Sequence, residues 1–200
     1  MSSEIHEECG VIGIYCGDEN QNAAHLVYYG LYALQHRGQE SAGIAANNKG
    51  SMNLRKGLGL AGEVFRGETF TNFPGSIAIG HVRYSTAGDG SVRSAQPLAA
   101  SCRLGEIALA HNGNLVNAES LREMLTDEGV MFHTTSDSES ILNLICQNSG
   151  SRSIEQGIRT AMDLMKGAYV LVITTQDKLI GVRDPYGLHP LCLGKLAGEA

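Results

Sequence analysis

Two hundred residues with 42% hydrophobic and 18% charged side chains are enough for one domain with a real core, and they exclude wholesale disorder. A net charge of −6 leaves no basic footprint for nucleic acid. No apolar run approaches the roughly 18 residues of a membrane span, and residues 1–8 lack the basic and apolar regions of a secretory signal.

Residues 1–8 form a polar stub that abuts Cys9, the residue that opens a strand-like run over 11–15. If the stub is removed, Cys9 carries both a thiol and a free α-amine. An α-amine titrates near ~7.7–8.0, so at neutral pH a useful fraction is an unprotonated base beside its own nucleophile. On position alone, a strand cysteine packed as a small hydrophobe is the simpler reading. The five cysteines (Cys9, Cys16, Cys102, Cys146 and Cys192) are odd in number, scattered and without a C-x-x-C pair. They exclude a disulfide framework or zinc site, fit a reducing cytoplasm, and leave the four besides Cys9 as packing residues.

Next comes a helical pattern over 23–36 with Val27, Leu31 and Leu34 on one face. Strands are expected over 42–46, 77–82 and 107–110, from short Val/Ile/Ala runs flanked by glycine. Helices follow over 117–128, with Leu121 and Leu125 stacked, and over 136–147, opened by a Ser136…Glu139 capping box. A third spans 153–166, opened by Ser153…Gln156 and stacking Ile154, Ile158, Ala161 and Met165, before strands over 169–174 and 179–182. Residues 190–200 read as a strand entering a turn, which suggests a truncated piece. Strands come in groups and helices in pairs, so the expected class is α+β, with antiparallel sheets and helix layers.

Four polar segments fall at the ends of these elements: 34–43, 80–88, 110–115 and 134–139. Singly, each has a plain structural explanation. Arg37 suits the last turn of a helix and Asp137 the first, and Asn112-Gly113 is a strong turn signal. Together with Cys9 they supply what amide hydrolysis of a free amino acid requires. A thiolate attacks the carboxamide carbon, and Asn112 with the Gly113 N–H can hold the oxyanion. Arg83 can fork onto an α-carboxylate and Asp137 can anchor an α-ammonium. Glutamine fits that set.

Cys9-Gly10, Leu34-Gln35-His36-Arg37-Gly38-Gln39, Gly80-His81-Val82-Arg83-Tyr84-Ser85-Thr86, His111-Asn112-Gly113-Asn114 and Ser136-Asp137-Ser138-Glu139 resemble, in order, the glutaminase domain of class II glutamine amidotransferases. Local spelling, including Ala95-Gln96-Pro97 and Val182-Arg183-Asp184-Pro185-Tyr186-Gly187, resembles the amidophosphoribosyltransferase family within that class. His189 stands where many members have arginine.

The resemblance implies the four-layer αββα sandwich of N-terminal nucleophile hydrolases. It implies 1–8 as propeptide and 9–200 as a glutaminase domain truncated at its C-terminus, without the phosphoribosyltransferase domain. Cys9, Asn112 and Gly113 are then catalytic, and Arg83, Asp137, Arg37 and Thr86 bind glutamine; residues 84–94 match a substrate-covering loop. It also implies ammonia delivery to 5-phosphoribosyl diphosphate, giving 5-phosphoribosylamine in the first step of purine synthesis. The segment itself would hold no metal; the whole enzyme would use Mg2+ with its phosphoribosyl substrate and, in one subgroup, a [4Fe–4S] cluster. The whole enzyme would be a homo-oligomer. Another class II amidotransferase, an uncoupled amidohydrolase of the same fold, or an unprocessed non-catalytic piece are the alternatives.

Overall fold

The structure, a computed structural model, describes residues 9–17, 22–71, 73–84, 91–150 and 153–195. The stub 1–8, Thr86, most of the loop over 84–94 and the last five positions lie outside the described residues. The elements run β1 (Gly10–Tyr15), α1 (Ala23–Leu34), β2 (Ser41–Asn48), β3 (Ser51–Leu58), α2 (Ala61–Val64), β4 (Ile77–Arg83), β5 (Leu98–Cys102) and β6 (Gly105–Leu115). They continue with α3 (Ala118–Asp127), α4 (Asp137–Ser149), α5 (Ile154–Leu164), β7 (Gly167–Thr174) and β8 (Leu179–Arg183).

Two antiparallel sheets result, ordered β1-β4-β2-β3 and β5-β6-β7-β8. The central strands β2 and β4 are buried on both faces, and strand alternation sorts their side chains. In β4 the even residues Ala78 and Val82 join Ala42, Ile44 and Ala46 against Val27 and Leu31 of α1. The odd residue Ile79 faces the other sheet, where it meets Ala45, Ala108, Ala110 and Val172. Four of the residues at that inter-sheet contact are alanine or valine, and their small side chains let the sheets stack closely. On the far side, Leu109, Leu171 and Ile173 pack under Leu121, Leu125, Ile141, Ile145, Ile158 and Met165 of α3–α5. The layers are therefore helix, sheet, sheet, helix, as the resemblance implies. All apolar positions expected to stack on the last helix belong to that core.

Several local expectations need correction. β3 and β5 were not foreseen: β3 is half-exposed and carries Asn53, Arg55 and Lys56, so it lacks an apolar run. β6 continues through His111, Asn112 and Gly113 to Leu115, well past the expected end. The capping box does not form as drawn. Ser136 Oγ accepts from the Ser138 N–H, whereas the Glu139 carboxylate reaches back to the N–H groups of His133 and Thr134 at 2.8 and 2.7 Å. Residues 190–195 form no strand, and Cys192 is exposed rather than packed.

Candidate active site

Cys9 stands just before β1, where Gly10 lies opposite Val82 of β4, so the cysteine sits beside the strand end that carries Arg83. Its backbone takes φ +63°, a left-handed conformation uncommon outside glycine. The thiol contacts the Tyr84 carbonyl at 3.7 Å, and the Cys9 carbonyl accepts from Arg37 Nε at 2.9 Å. Arg37 lies in a short 3₁₀ turn after α1. It holds the backbone of the cysteine, which the helix-dipole explanation does not provide for. Arg83 shares the odd-numbered face of β4 with Ile79, so it points between the sheets, and it is only 9% exposed.

The opposing wall is the edge of β6. β5 begins at Leu98, opposite Leu109, so over 110–115 β6 has, among the described residues, a strand neighbour on one side only. In an antiparallel ladder each residue turns its N–H and C=O to one side, alternating along the strand. The vacated side is met by side chains instead. His111 N–H donates to Gln96 Oε1 at 2.7 Å, and Leu115 N–H donates to Asp137 Oδ2 at 3.1 Å. Gly113 lies midway between these two. Its partner Tyr169 accepts from the Asp184 N–H at 2.9 Å, on the side away from β6. The Gly113–Tyr169 pair is thus not hydrogen-bonded, and alternation directs the Gly113 N–H to the vacated edge. Asn112 and Gly113 are therefore strand residues, and the turn reading is incorrect. Glycine is required here: φ is +144°, and a Cβ would lie 2.1 Å from the Ala168 carbonyl oxygen. The Asn112 side chain, on the even face with Ala108 and Ala110, points toward the sheet that carries Arg83 and is 9% exposed.

Asp137, the first residue of α4, is engaged on both oxygens. Oδ2 takes the Leu115 N–H, and Oδ1 lies 3.5 Å from both His111 Nδ1 and Ser138 Oγ. Burial pushes its pKa up, but the bonds from His111, Leu115 and Ser138 outweigh this and hold it below the ordinary carboxylate value. Gln96, His81 and Ser138 take part in the same network and were not foreseen as site residues. Gln96 Nε2 donates to Ser138 Oγ at 3.0 Å, and His81 Nε2 lies 3.0 Å from the His111 carbonyl. Their sequence signal was adjacency: His81 precedes Arg83 by one strand period, and His111 immediately precedes Asn112.

Among the described residues no group of three or more His, Cys, Asp or Glu could hold a metal. Cys102 and Cys146 meet thiol to thiol, and burial with that contact pushes Cys146 up to about 12. A pair of cysteines is two ligands short of the four thiolates that hold an iron–sulfur cluster.

A family model described as a glutamine amidotransferase domain matches residues 81–200. The chain is 45% identical over 197 residues to amidophosphoribosyltransferase of Bacillus subtilis, covering 98% of this chain and 40% of that protein. It is 46% identical over 197 residues to the chloroplastic amidophosphoribosyltransferase 3 of Arabidopsis thaliana, covering 98% of this chain and 36% of the relative. The solved glutamine phosphoribosylpyrophosphate amidotransferase from B. subtilis superposes with a TM-score of 0.84 at 41% identity, covering 94% of this chain and 40% of that one. The chain thus spans between a third and two-fifths of the length of relatives such as these. With a matching family model over more than half its residues, the chain belongs to the glutamine amidotransferase domain family.

Proposed function

We propose that this chain is the glutaminase part of an amidophosphoribosyltransferase, with Cys9 as nucleophile. The observation that carries the reading is the open position at Gly113: on an edge where neighbouring N–H groups are taken by Gln96 and Asp137, one N–H remains directed outward. Asn112, buried and facing the Arg83 side, supplies a second donor for the same oxyanion. The Cys9 thiolate adds to the carboxamide carbon of glutamine and the carbonyl oxygen becomes the oxyanion. Collapse breaks the C–N bond, and the departing nitrogen takes the proton the thiol gave up, leaving as ammonia. Water then hydrolyses the thioester to glutamate.

The proton's first acceptor is the Cys9 α-amine, which requires removal of residues 1–8. Arg37, bonded to the Cys9 carbonyl, supports that end of the chain. Arg83 binds the glutamine carboxylate, while Asp137 and Thr86 complete the amino-acid clamp. Both Asp137 oxygens already have polar contacts, and the lone pairs left on them can still accept from the ammonium.

In the whole enzyme the ammonia converts 5-phosphoribosyl diphosphate, with Mg2+, to 5-phosphoribosylamine. The cytoplasm and a homo-oligomer are the expected setting. The test uses the intact enzyme: glutamate released from glutamine in step with 5-phosphoribosylamine formation supports the reading. Synthesis from ammonia alone, without glutamate release, overturns it. N-terminal sequencing of active protein should begin at Cys9; a start at Met1 refutes the maturation step.

A further inference from the structure

We infer that Gln96 and His81 are positioning residues of the glutaminase reaction, which aim the Asn112-Gly113 oxyanion donors by clamping the backbone of His111. The inference rests on the glutaminase reading above and adds residues to which that reading gives no role.

β5 covers β6 only as far as Leu109, opposite its first residue Leu98. Past Leu109 the ladder along β6 has lost its partner strand, so His111 would leave a buried N–H and C=O without mates, a costly arrangement. The side-chain amide of Gln96 takes the place of the missing peptide. Its Oε1 accepts the His111 N–H at 2.7 Å, and its Nε2 approaches the His111 carbonyl at 3.4 Å. The same Nε2 donates to Ser138 Oγ at 3.0 Å, which ties the amide to the start of α4. Gln96 is itself fixed from behind, because Lys56 Nζ of β3 binds the carbonyls of Arg93 and Ala95 at 3.2 and 2.5 Å.

His81 adds a bond between the two sheets. Its Nε2 lies 3.0 Å from the His111 carbonyl oxygen, which can only accept, so Nε2 carries the proton. The ring is fully buried, and burial pushes its pKa down to about 3, so it stays neutral across the working range. The His111 carbonyl belongs to the peptide that carries the Asn112 N–H, and Gly113 follows. Fixing that peptide fixes the direction of both proposed oxyanion donors. His81 is also two residues before Arg83 on the same face of β4. One hydrogen bond thus sets the sheet that bears Arg83 and borders Cys9 against the sheet that bears the oxyanion donors. A misplacement of ~1 Å in such a site can cost about 10²-fold in rate, so an indirect clamp has large kinetic leverage.

The test uses the intact enzyme and glutamine hydrolysis. Gln96→Met keeps length and removes both polar atoms, and His81→Leu removes the inter-sheet donor. Each should lower kcat by roughly tenfold to 10²-fold while KM for glutamine stays within about threefold, because the loss falls on the transition state. The affinity for the aldehyde analogue of glutamine, which forms a tetrahedral oxyanion on Cys9, should fall by the same factor as kcat. Alkylation of Cys9 by iodoacetamide, which needs no oxyanion donor, should keep its wild-type rate. His81→Gln retains an N–H donor and should restore kcat to within about threefold of wild type, which keeps the test decisive if the leucine variant fails to fold. Unchanged kcat and aldehyde affinity in Gln96→Met and His81→Leu overturn the inference. So does a parallel rise in KM and loss of alkylation rate, which marks a merely structural role. If the wild-type enzyme releases no glutamate at all, the glutaminase reading itself fails; if wild type is active and the variants are too, only the positioning role does.

Discussion

Replacing Gly113 by alanine tests the oxyanion edge most directly. The added Cβ would lie 2.1 Å from the Ala168 carbonyl oxygen and 2.8 Å from the Tyr169 Cα, both backbone atoms of the adjoining strand. Relief of more than ~1 Å has to come from β6 moving or from rotation of the Gly113 peptide, since neither contact is with a flexible side chain. Alanine at φ +144° adds strain of about 1–3 kcal/mol. Either movement swings the Gly113 N–H away from its aim, and losing one oxyanion donor costs about 10²–10³ in kcat, or roughly 2.7–4 kcal/mol in the barrier. The expected outcome is that fall in kcat for glutamine hydrolysis, with ammonia-dependent synthesis retained as evidence of an intact second site.

Gly167→Ala is the steric control. Gly167 sits on the same β6–β7 ladder with φ +135° and a Cβ position 2.4 Å from the Asn114 carbonyl oxygen. It should lower the urea midpoint to a similar degree and reduce kcat far less. If Gly113→Ala and Gly167→Ala lose kcat equally, the effect is general ladder damage and Gly113 is no special donor. Retention of kcat within about threefold in a folded Gly113→Ala would refute the assignment outright.

Cys9→Ala should abolish glutamate release and leave ammonia-dependent synthesis largely intact, whereas alanine at the exposed Cys192 should leave both activities unaltered. Arg83→Lys should raise KM for glutamine at least about tenfold with a smaller effect on kcat, because an ammonium cannot make the planar two-bond fork; steady-state kinetics with unchanged KM would remove Arg83 from the site. His81 gives a pH prediction. Its folded pKa of about 3 lies below the ordinary value, so between roughly pH 6.5 and 3 the unfolded chain binds a proton that the folded chain does not. Stability should therefore fall as pH drops through that window, and the slope contributed by this residue, at most about 1.4 kcal/mol per pH unit, should vanish in His81→Gln when urea midpoints are measured against pH.

Much of the fold was legible because its signals are local. Alternating Val, Ile and Ala runs marked β1, β4, β7 and β8, and helical spacing placed Ile154, Ile158, Ala161 and Met165 on the face that α5 buries. β3 escaped because it lies on a sheet edge, where Arg55 is exposed and Lys56, on the opposite face, binds the carbonyls of Arg93 and Ala95, so it carries no apolar run. β6 was drawn too short because Asn112-Gly113 spells a turn locally. The pairing of Gly113 with Tyr169, more than fifty positions away, overrides that preference.

The sequence by itself determined which chemical groups are available: a thiol near the N-terminus, arginines at element ends, and an Asn-Gly pair, in an order specific to one family. Only the tertiary structure decided how they are used. Arg37 turned out to hold the Cys9 carbonyl, and Gln96, named in the sequence only as family spelling, took over the place of a strand. Both outcomes depend on hydrogen-bond partners supplied by other segments: Arg37 is 28 residues from Cys9, and Gln96 is 15 residues from His111. A chain pattern reports periodicity and side-chain type; which backbone groups are left without a partner, and so which side chain must meet them, is fixed only when one strand ends beside another.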